Sequence, residues 1–347
     1  MGIERFDYDL PSEAVAQRPT RSRSHARMLV ALDDTEPPRH LTVADLPEVL
    51  EPGDLLVVNE SRVIPARLRL HKATGGAVEV LLVEPVPDET AEKGAACWEA
   101  LIRPGRRVAP GTTLFAGDEP ACAVGGAARS SAAEPDGRRI VHLFDEGLAD
   151  SLGEVPLPPY IHQPLDDPDR YQTVFARRSG SVAAPTAGLH FDAELVDGCR
   201  RRGVELATVD LAVGPDTFRP IKAARPEDHE MHSERYSVPS TTLEACSRAR
   251  RVVAVGTTTV RALESAAATG QLRGRTSLFI HSSFPFRVVD LLLTNFHLPR
   301  SSLLLLVDAF CGERWRLLYD LALAEGYRFL SFGDAMLVGR VGKGSGG

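Results

Sequence analysis

The chain has 347 residues, 43% of them hydrophobic and 25% charged, with a formal net charge of −7. That length exceeds one ordinary core and predicts two domains, while the composition is that of a globular protein and excludes the disordered and collagenous classes. The negative total excludes generic coating of nucleic acid, yet leaves room for an RNA substrate held on a local basic patch.

Cys97, Cys122, Cys199, Cys246 and Cys311 are scattered, with no Cys-x-x-Cys pair. The expectation is therefore neither a metal site nor a disulfide framework, in a reducing compartment. The N-terminus carries Glu4, Asp7 and Asp9 and has no apolar core for a signal peptide. The longest apolar run, around residues 303–307, falls short of the ~20 residues of a membrane span. A cytoplasmic protein with no membrane partner is expected.

In chain order, Ser12 after Pro11 reads as the cap of a short helix. Arg18, Arg21, Arg23 and Arg27 follow; a solvated basic face is the default reading and phosphate contact the functional one. Residues 28–32 read as a buried strand and 46–50 as a short helix. Residues 54–59 form a second strand that delivers Asn59-Glu60-Ser61-Arg62 at the end where α/β sheets place ligands.

From Val63 the texture changes to six short strand-like segments, 66–70, 77–84, 97–103, 112–115, 122–124 and 139–144, separated by Gly/Pro/Ala-rich breaks. They predict a small antiparallel β-barrel or sandwich inserted into another domain. The expected division is an α/β catalytic domain from residues 1–64 and 155–347 around an inserted β-barrel domain of residues 65–154. Arg103-Pro104-Gly105-Arg106-Arg107 puts three guanidinium groups on one rigid turn, suited to bidentate phosphate contact; a solvated turn fits it equally. The tract 125–133 reads as a hairpin loop without functional content.

Residues 155–161 form a stiff extended linker. Gly180-Ser181-Val182-Ala183-Ala184-Pro185-Thr186-Ala187-Gly188-Leu189-His190-Phe191 then has almost no side-chain bulk and no amphipathic period. It reads as backbone meant to lie against something else, or, more blandly, as a packed loop with a structural histidine. Asp192 looks like the N-cap of a helix to Arg202. A strand over 204–213, a helix over 241–250, a strand over 251–255 and a helix from Thr258 predict a mostly parallel sheet with helices on its faces.

Several constellations could carry chemistry. Gly256-Thr257-Thr258-Thr259 joins a buried strand to a helix start, a ready anion site, with Arg261 and Glu264 spaced to pair on one face. A plain cap with a surface ion pair is the bland alternative, and neither Gly-x-Gly-x-x-Gly nor Walker A spacing is present. His229-Glu230-Met231-His232-Ser233-Glu234 lacks the i, i+4 histidines of zincins, but a His and a Glu so close can supply an acid/base pair. Thr294, Asn295 and His297 tip an apolar strand, a common site position.

Taken together, these stretches resemble the S-adenosylmethionine:tRNA ribosyltransferase-isomerase family of queuosine biosynthesis. The matching motifs include Gly53-Asp54-Leu55-Leu56-Val57-Val58-Asn59, Arg62-Val63-Ile64-Pro65-Ala66-Arg67-Leu68, the Arg103 to Arg107 turn, the glycine-alanine stretch to Phe191, Met231-His232-Ser233-Glu234, Thr294-Asn295-Phe296-His297-Leu298-Pro299, and residues 155–161, 171–176, 253–265 and 327–337. The resemblance runs from Phe6 to about Val338. It departs from the family pattern at Pro215-Asp216, where a glycine is usual, at Ser282-Ser283-Phe284 and at Asn59-Glu60-Ser61.

The resemblance implies an α/β domain interrupted by a small β-barrel. It also implies that S-adenosylmethionine is a ribosyl donor, a substrate and not a cofactor, with no metal. The acceptor would be 7-aminomethyl-7-deazaguanine in the tRNA wobble position, with adenine and methionine released. Alternatives are a paralogue using the same donor on a free 7-deazapurine or other small amine, and a non-catalytic RNA-binding module. On the leading reading His190 or His297 is the base or acid, and Asn59, Thr186 and Asn295 orient the sugar. The Thr257-Thr258-Thr259 helix start, with Arg261 and Glu264 one turn on, holds the methionine carboxylate. Arg103, Arg106 and Arg107, with Arg18 and Arg21, contact tRNA phosphates.

Overall fold

The structure, a computed structural model, describes residues 2–87, 95–128 and 137–342; residues 129–133 of the tract read as a hairpin loop lie outside that set. The described chain divides into two compact units, residues 1–62 with 158–347, and residues 63–157.

The first unit is built on a nine-stranded mixed sheet, in the order Arg273–Thr276, Glu234–Ser237, Glu205–Leu211, Leu55–Asn59, Val252–Val255, Leu291–Asn295, Ala335–Gly339, Arg27–Ala31, Arg39–Thr42. Its central strands, from Glu205–Leu211 to Leu291–Asn295, run parallel. They have to be covered on both faces, and Leu55–Asn59, Val252–Val255 and Leu291–Asn295 are buried throughout. Leu55 and Val57 enter one core with Val260, Leu263, Leu304 and Trp315 of helices Thr257–Thr269, Ser302–Cys311 and Arg314–Ala324. Leu56 and Val58 enter a second core with Leu46, Leu195 and Cys199 of helices Leu46–Val49 and Ala193–Arg201. Each fully buried aliphatic side chain in these layers stabilises by about 1.5–3 kcal/mol.

Topology positions the site. The parallel strands deliver their last residues to one end of the sheet, and the antiparallel Ala335–Gly339 begins there, Ala335 opposite Asn295. Glu234, the first residue of its strand, stands opposite Thr276 at the same end. Glu264 lies buried in its helix, and its carboxylate accepts the N–H groups of Arg287, Val288 and Val289 at 2.8, 3.0 and 3.1 Å. This fixes the chain just before strand Leu291–Asn295.

The second unit is a closed six-stranded antiparallel barrel among its described residues, in the order Arg138–Leu143, Ala96–Arg103, Ala77–Pro85, Arg67–Lys72, Thr113–Ala116, Glu119–Ala127. Leu68, Leu70, Val80, Leu82, Leu114 and Val141 fill its interior, as period-two alternation requires.

Local expectations fare unequally. Asp192 does cap Ala193–Arg201, its side chain accepting the Leu195 N–H at 2.9 Å. Ser12 does not act as a cap: it opens a 3-10 turn, Ser12–Ala14, preceded by Pro11 with no side-chain cap. Its hydroxyl instead meets Glu13 at 3.3 Å. Arg261 and Glu264 do not pair with each other, since Glu264 is held by three backbone donors and Arg261 by Glu234. No helix among the described residues is long and apolar enough to cross a membrane.

Candidate active site

Asn295 is the hub. It ends a strand in which every side chain is buried, so its carboxamide must find partners inside the protein. Thr186 donates its hydroxyl to Oδ1 at 2.9 Å, and Nδ2 faces Nε2 of His190 at 3.1 Å and the Asp334 carbonyl at 3.5 Å. A carbonyl can only accept, so Nδ2 is the donor, and His190 Nε2 therefore accepts with its proton on Nδ1. Burial lowers His190 to about 4, with Arg328 and Arg23 pushing the same way and Asp334 opposing. The ring is neutral at physiological pH.

The Thr186–His190 turn is pinned from outside by Arg23, which donates to the Leu189 carbonyl at 3.1 Å. Of the glycine-alanine stretch, residues 181–185 and 187–191 are buried and Thr186 is half-buried. Gly188 is required there: a Cβ would meet Thr173 Cγ2 at 2.9 Å. The stretch does lie against other parts of the chain, and Thr186 is the member that reaches a cleft of about 320 Å3, counted to its open mouth.

That cleft is also lined by Asn295, His297, Thr217, Tyr160 and Ser331. His297 meets the Thr294 hydroxyl through Nε2 at 2.9 Å. Its backbone N–H donates to Tyr319 at 2.9 Å, and its carbonyl accepts from Tyr8. Among the described residues no hydrogen bond engages its Nδ1. Burial pushes this imidazole down to about 3, so it too is neutral. Tyr160 and Ser331 share a hydroxyl hydrogen bond of 2.7 Å on the same wall.

Behind Thr217 lies a buried ionic node. Glu234 accepts from the Thr217 hydroxyl at 3.2 Å and from the Gly214 N–H at 3.1 Å, faces His232 at 3.1 Å, and pairs with Arg261. Burial alone would raise its carboxyl, but Arg261 and His232 outweigh burial and hold it at about 2. The acid/base pair expected of the 229–234 segment is thus His232 with Glu234, committed to holding the cleft wall, while Glu230 is exposed. Asp216 pairs with Arg219 at 2.8 Å on the Pro215–Phe218 turn that carries Thr217.

The structure brings together Thr186, His190, Asn295 and His297 of the predicted residues. Asn59 lies apart from that hub: its Nδ2 donates to the Leu211 carbonyl at 3.0 Å and to Thr258 at 3.3 Å, and its Oδ1 accepts from Ser61 and Leu211 at 3.1 Å. The Thr257–Thr269 helix starts after Gly256, at φ +89°, with no side-chain cap, and a Cβ on Gly256 would sit 3.5 Å from Ala187. The helix start therefore adjoins the Thr186 turn. Thr259 turns its hydroxyl back to the Val255 carbonyl at 2.7 Å. Arg103, Arg106 and Arg107 are exposed on a turn braced by Arg139, which donates to the carbonyls of Val108 and Gly105 at 2.6 and 3.1 Å. Arg18 is exposed but engaged with Gln163 and Asp166, and Arg21 is exposed.

Thr217, Tyr160, Ser331, Tyr8 and Tyr319 were not singled out as site residues. Glu234 carried a signal, its place beside two histidines, and Tyr160 and Ser331 stood in the matching segments 155–161 and 327–337; Tyr8 and Tyr319 carried none, because the Tyr8 contact spans 289 positions.

Comparison with known proteins places this geometry. Residues 3–338 match the family model described as queuosine biosynthesis protein. The chain is 52% identical to the S-adenosylmethionine:tRNA ribosyltransferase-isomerase of Thermus thermophilus, over 97% of this chain and 99% of that one. It is 47% identical to the protein of that name from Synechococcus elongatus, over 97% and 95% of the respective chains. The crystal structure of the S-adenosylmethionine tRNA ribosyltransferase from Thermotoga maritima superposes with a TM-score of 0.54 at 37% identity, covering 96% of this chain and 99% of that one.

Proposed function

The chain belongs to the S-adenosylmethionine:tRNA ribosyltransferase-isomerase family of queuosine biosynthesis, and from that premise we propose that His297 is the base that opens the reaction in the cleft beside Asn295. The protein is an enzyme of that family, a transferase and isomerase that modifies tRNA with S-adenosylmethionine as substrate. The finer reading is that the ribosyl group passes to the aminomethyl group of a 7-deazaguanine at the tRNA wobble position, with adenine and methionine leaving.

The sulfonium makes the C5′ protons of the donor acidic, so proton removal is the natural first step. The ring is neutral and so can accept that proton, giving an imidazolium beside a sulfonium ylide; burial, which lowers this imidazole, opposes the charge that forms on it, and the adjacent carbanion offsets that cost. The observation that supports His297 over His190 is that His297 lines the cleft and its Nδ1 makes no hydrogen bond among the described residues, whereas Nε2 of His190 already receives Asn295. His190 then holds the Asn295 carboxamide, which with Thr186 orients the sugar.

The uncapped Thr257–Thr258 helix start, beside Ala187, takes the methionine carboxylate. Asn59 serves it through the Thr258 hydroxyl, and Thr259, Arg261 and Glu264 support it from within the core. Arg103, Arg106 and Arg107, with Arg18 and Arg21, contact tRNA phosphates. The nucleoside meets the glycine-alanine stretch at Thr186, near its middle, and does not lie along its length.

The test is to incubate the protein with S-adenosylmethionine and tRNA bearing the aminomethyl-deazaguanine, and to measure adenine, methionine and the mass of the RNA. Stoichiometric release with a ribosyl-sized gain on the RNA supports the reading. Adenine release driven by the free nucleobase amine alone would assign a small-molecule acceptor.

A further inference from the structure

Both polar atoms of the His297 peptide are held by phenol hydroxyls from distant parts of the chain. The N–H donates to Tyr319, in helix Arg314–Ala324, and the carbonyl accepts from Tyr8, just beyond the N-terminal turn Ile3–Phe6. The two rings meet edge to face, with centroids 5.3 Å apart and planes at 84°. Tyr319 is fully buried, so its hydroxyl sits in the core because a backbone donor needs it there.

The segment that follows His297 is tied to the same N-terminal residues. The Arg300 N–H donates to the Phe6 carbonyl at 2.9 Å, the Arg300 side chain pairs with Asp7, and Arg300 itself sits at φ +53°, left-handed backbone that a non-glycine residue adopts at a cost. A strained turn persists where its surroundings over-determine it, and residues 6–8 supply that constraint. The ring is then fixed from the other side by the Thr294 hydroxyl on Nε2. With peptide and Nε2 both held, the imidazole is confined to one orientation on the cleft wall that His297 lines.

We infer that Tyr8 and Tyr319 are positioning residues for the ribosyl-transfer reaction, clamping the His297 peptide so that its imidazole keeps one aim toward bound S-adenosylmethionine. The inference rests on His297 being the base. It makes the N-terminal segment part of the catalytic apparatus, although none of residues 2–8 touches the cleft. Misaiming a base by about 1 Å lowers turnover by up to ~100-fold while leaving ground-state contacts in place, so the clamp acts on kcat and not on KM.

The experiment uses Tyr8→Phe, Tyr319→Phe and Tyr327→Phe in the full chain, with kcat and both KM values measured by adenine release and Tm measured alongside. Tyr327 is the control: it belongs to the same aromatic cluster, 5.8 Å from Phe296, but its hydroxyl meets His40 at 2.9 Å and never His297. The expected result is a kcat lowered roughly 10- to 100-fold in the first two, with unchanged KM for S-adenosylmethionine and tRNA and wild-type kcat in Tyr327→Phe. Wild-type kcat in both Tyr8→Phe and Tyr319→Phe overturns the inference, as does an equal kcat loss in all three that tracks Tm. His297→Ala separates this from failure of the underlying reading: a dead His297→Ala with active tyrosine variants removes only the clamp, while an active His297→Ala removes the base assignment itself.

Discussion

Thr186 donates its hydroxyl to Asn295 at 2.9 Å, joining a turn to a strand tip 109 positions further along the chain. The bond decides which way the carboxamide faces, and therefore that His190 receives a proton donor. Thr186→Val removes the anchor while keeping the shape. Adenine release should fall by roughly 10- to 100-fold, the penalty for a misplaced orienting group, with Tm nearly unchanged; wild-type turnover would show that Asn295 is oriented without it.

The two imidazoles should separate in kinetics. His297→Ala removes the proposed base and should lower kcat by about 100- to 10,000-fold. His190→Ala leaves Asn295 Nδ2 only the Asp334 carbonyl at 3.5 Å and should cost less, nearer tenfold. Single-turnover adenine release decides between them, and a larger loss in His190→Ala would reverse the assignment.

Stability should depend on pH through the same rings. His297 and His190 are held at about 3 and about 4 in the fold, against 6.5 for a free imidazole. Between those values the unfolded chain binds more protons, so stability is complete above pH 6.5 and falls as pH drops. At pH 5 the loss is on the order of 2 kcal/mol for each ring. Glu234, held at about 2 against 4.5, contributes above pH 4.5 and loses its contribution only as pH falls toward 2. Chemical denaturation from pH 7 to 5 should therefore show a slope that flattens in His190→Asn; an unchanged slope in that variant would refute the assignment to His190.

The Glu234 and Arg261 pair should behave as a buried ion pair does. Glu234→Gln strands the Arg261 guanidinium and should destabilise by about 3–5 kcal/mol, whereas Glu234→Leu with Arg261→Met should recover much of that. Calorimetry reads the difference. Because Glu234 also holds Thr217 and Gly214, the recovered double variant should still bind S-adenosylmethionine less tightly than wild type.

RNA contact at the Arg103 to Arg107 turn should appear in salt dependence. Arg106→Gln with Arg107→Gln should raise KM for tRNA and reduce the slope of log KM against log salt by roughly 0.7–0.9 for each phosphate no longer neutralised. KM for S-adenosylmethionine should stay fixed. An unchanged salt slope would leave the turn as solvated surface.

The sequence showed most where chemistry is local. The six barrel strands were legible as short strand-like runs between Gly/Pro/Ala-rich breaks, because short antiparallel strands need a turn after each one whatever they pair with. Strand Leu291–Asn295 and its polar tip were legible because a buried apolar run ending in Thr, Asn and His has few other uses. Ser12 misled: a proline-serine pair resembles a cap, yet no helix follows long enough to need one. The spacing of Arg261 and Glu264 permitted a pair, but burial inside the sheet packing gave each a partner from another element. Thr217, Tyr8 and Tyr319 were silent because their roles depend on folding of distant segments, which no local pattern encodes.

The single carboxylate of Glu264 gathers three successive amides immediately upstream of the strand that carries Asn295. It acts as a pivot: three successive amides held on one carboxylate fix the register of the strand from its upstream end, so the tip cannot slide along the strand axis while they stay bound. Hydrogen exchange should find Val288 and Val289 among the slow amides, with a sharp boundary to faster ones just before Arg287.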